Sequence, residues 1–101
     1  MKEFQKTVSE LMADSRDKTI IDLRKPEEFA KGSCEGAVNL YWEEFDPEHS
    51  GADREKPLYL LCYTGETSDE IAEALCRQGW EAYSIVDGFR GYLRWKLSGG
   101  K

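Results

Sequence analysis

The chain has 101 residues, 40% hydrophobic and 12% aromatic, enough for one domain around one core and unlike a disordered segment. Fourteen basic against twenty acidic residues leave a net charge of −6, so a phosphate backbone repels it and no nucleic acid partner is expected. No apolar run approaches the ~20 residues of a membrane span, and the start MKEFQKTVSE lacks the apolar stretch of a signal peptide. A cytoplasmic protein with no membrane partner is expected.

Taken in chain order, Phe4, Val8, Leu11 and Met12 fall on one helical face, which predicts a first amphipathic helix. Thr19 to Leu23 is a short apolar run with β-branched residues and reads as a buried strand. Pro26 suits the first turn of a second helix, with Glu27 and Glu28 where the helix dipole favours acids and Gly32 as its stop. Ala37 to Leu40 is a second short strand, followed by about one helical turn over Tyr41–Phe45 and a polar loop from Asp46 to Lys56. Pro57 opens a strand over Leu58–Cys62 that is apolar on both faces and so expected at the centre of the sheet. A helix is predicted from about Ser68 to Gln78, with Ile71, Ala72 and Leu75 inward and Gly79 as its stop. Ala82 to Val86 is a further strand, Asp87-Gly88 a turn, and Phe89 to Leu97 a last helix. This alternation implies an α/β fold with a mainly parallel central sheet and helices on both faces. The ending Ser98-Gly99-Gly100-Lys101 is linker-like, as expected of a domain cut from a longer chain.

Three cysteines, Cys34, Cys62 and Cys76, argue against a disulfide framework by their odd number. None has CxxC spacing and His49 is the only histidine, so neither a metal nor a cofactor is expected. Cys62 stands apart because it ends the central strand one short loop before a helix, where open α/β sheets bind ligands. In Cys62-Tyr63-Thr64-Gly65-Glu66-Thr67-Ser68, Gly65 allows a tight turn that can aim successive backbone N–H groups inward as an anion nest. The following helix start adds roughly half a positive charge. A thiolate is favoured there without a histidine base, and the thiolate is the nucleophile. Thr67-Ser68-Asp69-Glu70 fits a capping box with Thr67 as N-cap. A buried thiol behind a capped helix accounts for the same residues, and spacing alone does not separate the two readings.

The stretches Asp22-Leu23-Arg24-Lys25-Pro26-Glu27-Glu28-Phe29, Lys31-Gly32 and Gly36-Ala37-Val38-Asn39-Leu40 resemble the rhodanese homology domain. The second half is similar in the same way: an apolar strand ending in cysteine, a loop with glycine third, and serine at the helix start. Asp87 to Tyr92 looks like the family's glycine-glycine-x-x-x-tryptophan segment, with Tyr92 in place of the tryptophan. The resemblance spans about Ile20 to Trp95 and implies that residues 1–101 form a single domain of rhodanese-like fold. It further implies that Cys62 takes the outer sulfur of a donor, thiosulfate or a persulfide, as a persulfide and passes it to a thiol or protein acceptor. The loop Tyr63, Thr64, Gly65, Glu66, Thr67 and Ser68 would bind the sulfur donor, with the hydroxyls of Thr64, Thr67 or Ser68 as additional hydrogen-bond donors. Asp22, Arg24 and Glu28 would be structural, joining the strand end to the short helix. A monomer is expected.

Three positions depart from the family pattern. Thr67 stands where many members have arginine, although a group of small bacterial rhodaneses has a hydroxyl there and the same cysteine-tyrosine opening. Glu66 would oppose an anion if turned inward, and is expected to face solvent. Ser33-Cys34 replaces histidine and an aliphatic residue; Cys34 is expected to fill a core slot rather than act as a second redox thiol. Cys76 is expected to pack. Two other functions compete with sulfur transfer: a non-catalytic rhodanese-like binding or regulatory module, and a phosphatase or arsenate reductase of related fold. Inactive members commonly lack the cysteine, and the oxyanion enzymes need a longer loop or an arginine clamp where this chain has Ser68.

Overall fold

The computed structural model describes residues 2–100. In chain order they form β1 (Gln5–Lys6), α1 (Val8–Ala13), β2 (Thr19–Asp22), α2 (Pro26–Ala30), β3 (Val38–Asn39), one turn of 3-10 helix (Pro47–His49), β4 (Leu58–Leu61), α3 (Glu66–Arg77), β5 (Ala82–Ile85) and α4 (Gly88–Leu97). The five strands make one parallel sheet in the order β1-β5-β4-β2-β3. The apolar run Leu58–Leu61 therefore lies at the centre and is buried throughout, as its composition requires.

Side chains alternate across the sheet and build two cores. Ile21, Leu58 and Leu60 face α3, which presents Ala72 and Leu75 to them. Ile20, Tyr59, Leu61 and Ile85 face the opposite way, against Val8 and Leu11 of α1 and Tyr92 of α4. Each fully buried leucine or isoleucine contributes roughly 1.5–3 kcal/mol. Cys62 continues the Leu58 and Leu60 side of the strand, so the alternation alone carries its sulfur toward α3. Among the described residues no helix is long and apolar enough to cross a membrane.

Three local expectations are corrected. The first helix does not include Phe4: Gln5 and Lys6 pair with Ser84 and Ile85 as an edge strand, and Phe4 packs on the α3 face while Val8 packs on the other. The cause is a capping box one step later, where the Thr7 hydroxyl accepts the Glu10 N–H and Glu10 accepts the Thr7 N–H at 3.0 Å. Tyr41–Phe45 is a hydrogen-bonded turn rather than a helix, closed by Glu44 N–H to the Tyr41 carbonyl at 2.9 Å. Thr67 is not an N-cap. Helix α3 starts at Glu66, with Gly65 as its N-cap in the left-handed conformation and no side-chain cap, because the chain turns early to reach the sulfur of Cys62.

Candidate active site

The chain leaves β2 for the sheet edge at β3 and leaves β4 for β5 on the other side, so the loops after β2 and β4 part from one another. A crevice opens at such a switch point, beyond the carboxyl ends of the strands. It is a cavity of about 420 Å³, with Leu23 and Cys62 at its base and Tyr41, Trp42 and Tyr63 around it. Cys62 is only 7% exposed, reached through this opening.

Two groups touch the Cys62 sulfur. The Gly65 N–H donates to it at 3.0 Å, and the Ser68 hydroxyl lies 3.4 Å away. That hydroxyl is fully buried, donates to the Gly65 carbonyl at 3.1 Å and meets the Ser84 hydroxyl at 2.7 Å. With a thiol at Cys62, Ser68 accepts the S–H; with a thiolate, its O–H turns to donate to sulfur and Ser84 retains a partner. Among the described residues the N–H groups of Tyr63, Thr64, Glu66, Thr67 and Ser68 have no protein acceptor. The first turn of a helix leaves such donors open, and open loop donors of this kind can hold an anion; the Gly65 N–H is the one that points at the sulfur.

The loop is pinned by backbone from the next βα turn. A Cβ on Gly65 would stand 2.5 Å from the Val86 carbonyl oxygen, and one on Gly88 would collide with the Tyr63 carbonyl. The Phe89 N–H donates to the Cys62 carbonyl at 2.9 Å. Backbone against backbone leaves no side chain to give way, so the loop holds its shape.

Beneath the other wall, Asp22 and Arg24 form a buried ion pair. Arg24 Nη2 is 2.7 Å from Asp22 Oδ2, and its Nε reaches both carboxylate oxygens at 3.0 and 3.1 Å. The same Nη2 donates to the Gly32 carbonyl at 2.7 Å, Ser33 Oγ donates to Asp22, and the guanidinium lies 3.9 Å over the Phe89 ring. Asn39 Nδ2 donates to the Asp22 and Arg24 carbonyls, at 3.0 and 2.8 Å. A buried pair held by this many partners is rigid.

The sequence-predicted residues divide by position. Cys62, Tyr63 and Thr67 line the crevice, and Gly65 and Ser68 hold the sulfur. Thr64 faces a separate cleft beside Arg90 and Arg94, and Glu66 is exposed away from the crevice. Glu28 does not join Asp22 and Arg24: the guanidinium hydrogen bonds go to Asp22 and Gly32, and Glu28 lines the crevice instead. Cys34 is buried in the α4-side core, and burial, with Asp22 and Glu35 nearby, pushes its thiol up to about 11. Cys76 is exposed rather than packed, its thiol donating to the Ala82 carbonyl at 3.2 Å because the helix turns it toward the sheet edge. Among the described residues no three His, Cys, Asp or Glu side chains gather as metal ligands. Sequence reasoning missed Lys25, Tyr41, Trp42 and Ser84. The first three follow strand ends, where an aromatic pair and a lysine signal a crevice; Ser84 is a lone polar residue inside an apolar strand.

A parallel α/β sheet with a cysteine loop at its switch point defines a class of proteins that do chemistry at a strand-end thiol. Residues 4–96 match the model of the rhodanese-like domain, and the chain belongs to that family. It is 33% identical over 84 residues to the thiosulfate sulfurtransferase GlpE of Shewanella oneidensis, covering 83% of this chain and 81% of that one. A protein of the same name from Coxiella burnetii is 32% identical over 79 residues, 77% of this chain and 74% of its own. Among solved structures, the human single-domain sulfurtransferase TSTD1 shares the fold at a TM-score of 0.74 and 22% identity, over 92% of this chain and 97% of that one. A rhodanese-like domain protein from Staphylococcus aureus does so at 0.75 and 23%, over 87% and 89%.

Proposed function

We propose that Cys62 carries the sulfur in a rhodanese-type sulfurtransferase reaction, with thiosulfate as a competent donor. The observation that carries this reading is the Gly65 N–H on the Cys62 sulfur at the foot of an open crevice. The kinship with proteins named thiosulfate sulfurtransferase supports the activity and the donor.

The thiolate of Cys62 attacks the outer sulfur of thiosulfate. A new sulfur–sulfur bond forms at Sγ, the bond to the sulfonate sulfur breaks, and its electron pair leaves with sulfite. The outer sulfur of the resulting persulfide carries the negative charge into the ring of open loop N–H groups, which offsets it without a metal or a histidine. An acceptor nucleophile then attacks that outer sulfur and the electron pair of the old bond returns to Cys62 as thiolate. This is covalent catalysis in two half-reactions. Ser68 follows the charge, accepting from the thiol and donating to the anion. Glu66, exposed and outside the crevice, does not oppose the donor. The odd cysteine count supports a reducing, cytoplasmic setting, and we read the protein as a monomer.

Intact-mass measurement after incubation with thiosulfate tests the reading. One added sulfur on the parent chain and none on Cys62→Ser is expected. No adduct from thiosulfate or from any persulfide donor would return the chain to the alternative of a non-catalytic binding module.

A further inference from the structure

The crevice over Cys62 is far larger than an inorganic donor needs. Its volume of about 420 Å³ falls in the ~300–1,000 Å³ range of sites that enclose organic ligands, whereas one water occupies ~30 Å³. Thiosulfate held by the loop N–H groups would leave most of that space to solvent. The walls explain what the space suits. Trp42 is 44% exposed and Tyr63 52% exposed, two large aromatic surfaces left open at the mouth.

Charge completes the description. Three charged side chains line the crevice: Arg24, Lys25 and Glu28. Arg24 is neutralised by Asp22 beneath it. That leaves one ammonium and one carboxylate, three residues apart at the start of α2, and among the described residues neither has a salt-bridge partner. The rim is thus neutral in sum but carries two separate, unpaired, opposite charges. A simple anion meets Glu28, and a simple cation meets Lys25; a ligand with both charges on one carbon skeleton meets neither repulsion.

We propose that the acceptor taken by this site is a zwitterionic thiol of amino-acid type, its carboxylate toward Lys25, its ammonium toward Glu28 and its carbon body against Trp42 and Tyr63. The inference rests on the Cys62 persulfide reading. The acceptor's thiolate attacks the outer sulfur of the persulfide, the bond to Sγ breaks, and its electron pair returns to Cys62. The acceptor leaves as its own persulfide, with no oxidant or reductant consumed. Lys25 and Glu28 act on specificity and touch neither reacting sulfur.

The test measures sulfite release from thiosulfate with cysteine, 3-mercaptopropionate, cysteamine and 2-mercaptoethanol as acceptors, kcat/KM being expressed per thiolate. These thiols carry both charges, the negative one, the positive one and neither. Each exposed charge contact is worth roughly a two- to fivefold preference, so cysteine is expected to exceed 2-mercaptoethanol by about four- to twenty-fivefold. Lys25→Met is expected to reduce the ratio of cysteine to cysteamine, and Glu28→Gln the ratio of cysteine to 3-mercaptopropionate. Ratios taken within one variant cancel any loss of folded protein. A flat series in the parent chain, or ratios that survive both substitutions, overturns the proposal. Cyanide serves as the separating arm. Sulfite release with cyanide beside a flat thiol series defeats the specificity inference alone, whereas no release with any acceptor, together with no Cys62 adduct from a persulfide donor, defeats the sulfur-transfer reading and this inference with it.

Discussion

The Gly65 N–H points at the Cys62 sulfur from 3.0 Å, and it does so from a left-handed backbone with φ of 101° that side chains disfavour. Gly65→Ala meets two penalties: the left-handed conformation, worth about 1–2 kcal/mol, and a Cβ 2.5 Å from the Val86 carbonyl. If the N–H stays displaced, persulfide formation slows on the order of a hundredfold, the cost of a small misplacement at a reacting centre. Timed intact-mass spectra and equilibrium unfolding give both numbers. A wild-type rate in this variant would mean that the loop geometry does not activate the thiol.

Ser68 and Ser84 share a buried hydrogen bond, but only Ser68 reaches the sulfur. Ser68→Ala and Ser84→Ala are each expected to lose about 1–3 kcal/mol of stability by leaving a buried hydroxyl or carbonyl unpaired. Only Ser68→Ala should slow sulfur uptake strongly, by about tenfold for a lost hydrogen bond of ~1.4 kcal/mol. Equal rate losses in the two would assign both a purely structural role.

The Asp22–Arg24 pair supports the crevice from beneath without reaching the sulfur. Arg24→Met strands a fully buried carboxylate and is expected to cost about 3–5 kcal/mol in urea unfolding. Adding Asp22→Asn removes the stranded charge, so the double variant should recover part of that loss. A double variant less stable than the single one would refute the assignment.

Far from the site, Asp14 accepts from Arg16 at 2.9–3.1 Å and from the Tyr59 hydroxyl at 2.6 Å. The Arg16 contact first, and then Tyr59, hold its carboxyl well below the usual carboxylate range. A depressed folded value means that the stability it brings is fully present above the unfolded value of ~3.9. It is lost progressively as pH falls below that point toward the folded value. Unfolding midpoints of the parent chain and Asp14→Asn should therefore differ by a constant amount above about pH 5 and converge toward pH 2. A difference that persists undiminished in acid would exclude the charge as its source.

Cys34 and Cys76 should separate cleanly in alkylation. Burial lifts the Cys34 thiol to about 11, so at pH 7.5 it is almost wholly protonated and out of reach. Peptide mapping after iodoacetamide is expected to show Cys76 modified in the folded protein and Cys34 only after unfolding. Early labelling of Cys34 would reopen a redox role for it.

Local sequence determined much of this protein because short-range forces suffice there. The apolar run before Cys62 makes a central strand whatever surrounds it, Pro26 starts a helix, and Gly65 marks a turn that needs a left-handed residue. The alternation of strands and helices implied a parallel sheet, and a cysteine at a strand end before a helix allowed a reactive thiol without separating it from a buried one. What the chain pattern misplaced was decided by tertiary contacts. Gln5 and Lys6 are a strand only because β5 offers them an unpaired edge, a partner far away in sequence. Thr67 has the spacing of a cap but lies within a helix that Gly65 has already begun, since the Cys62 sulfur and the Val86 carbonyl fix where the chain turns. Glu28 has the motif position of a structural acid, yet it lines the crevice, while Arg24 turns to Asp22, to the Gly32 carbonyl and onto the Phe89 ring, groups that only the fold brings beside it. The crevice itself could not be read from the chain order, because its walls come from loops after three strands and meet only when the sheet is assembled.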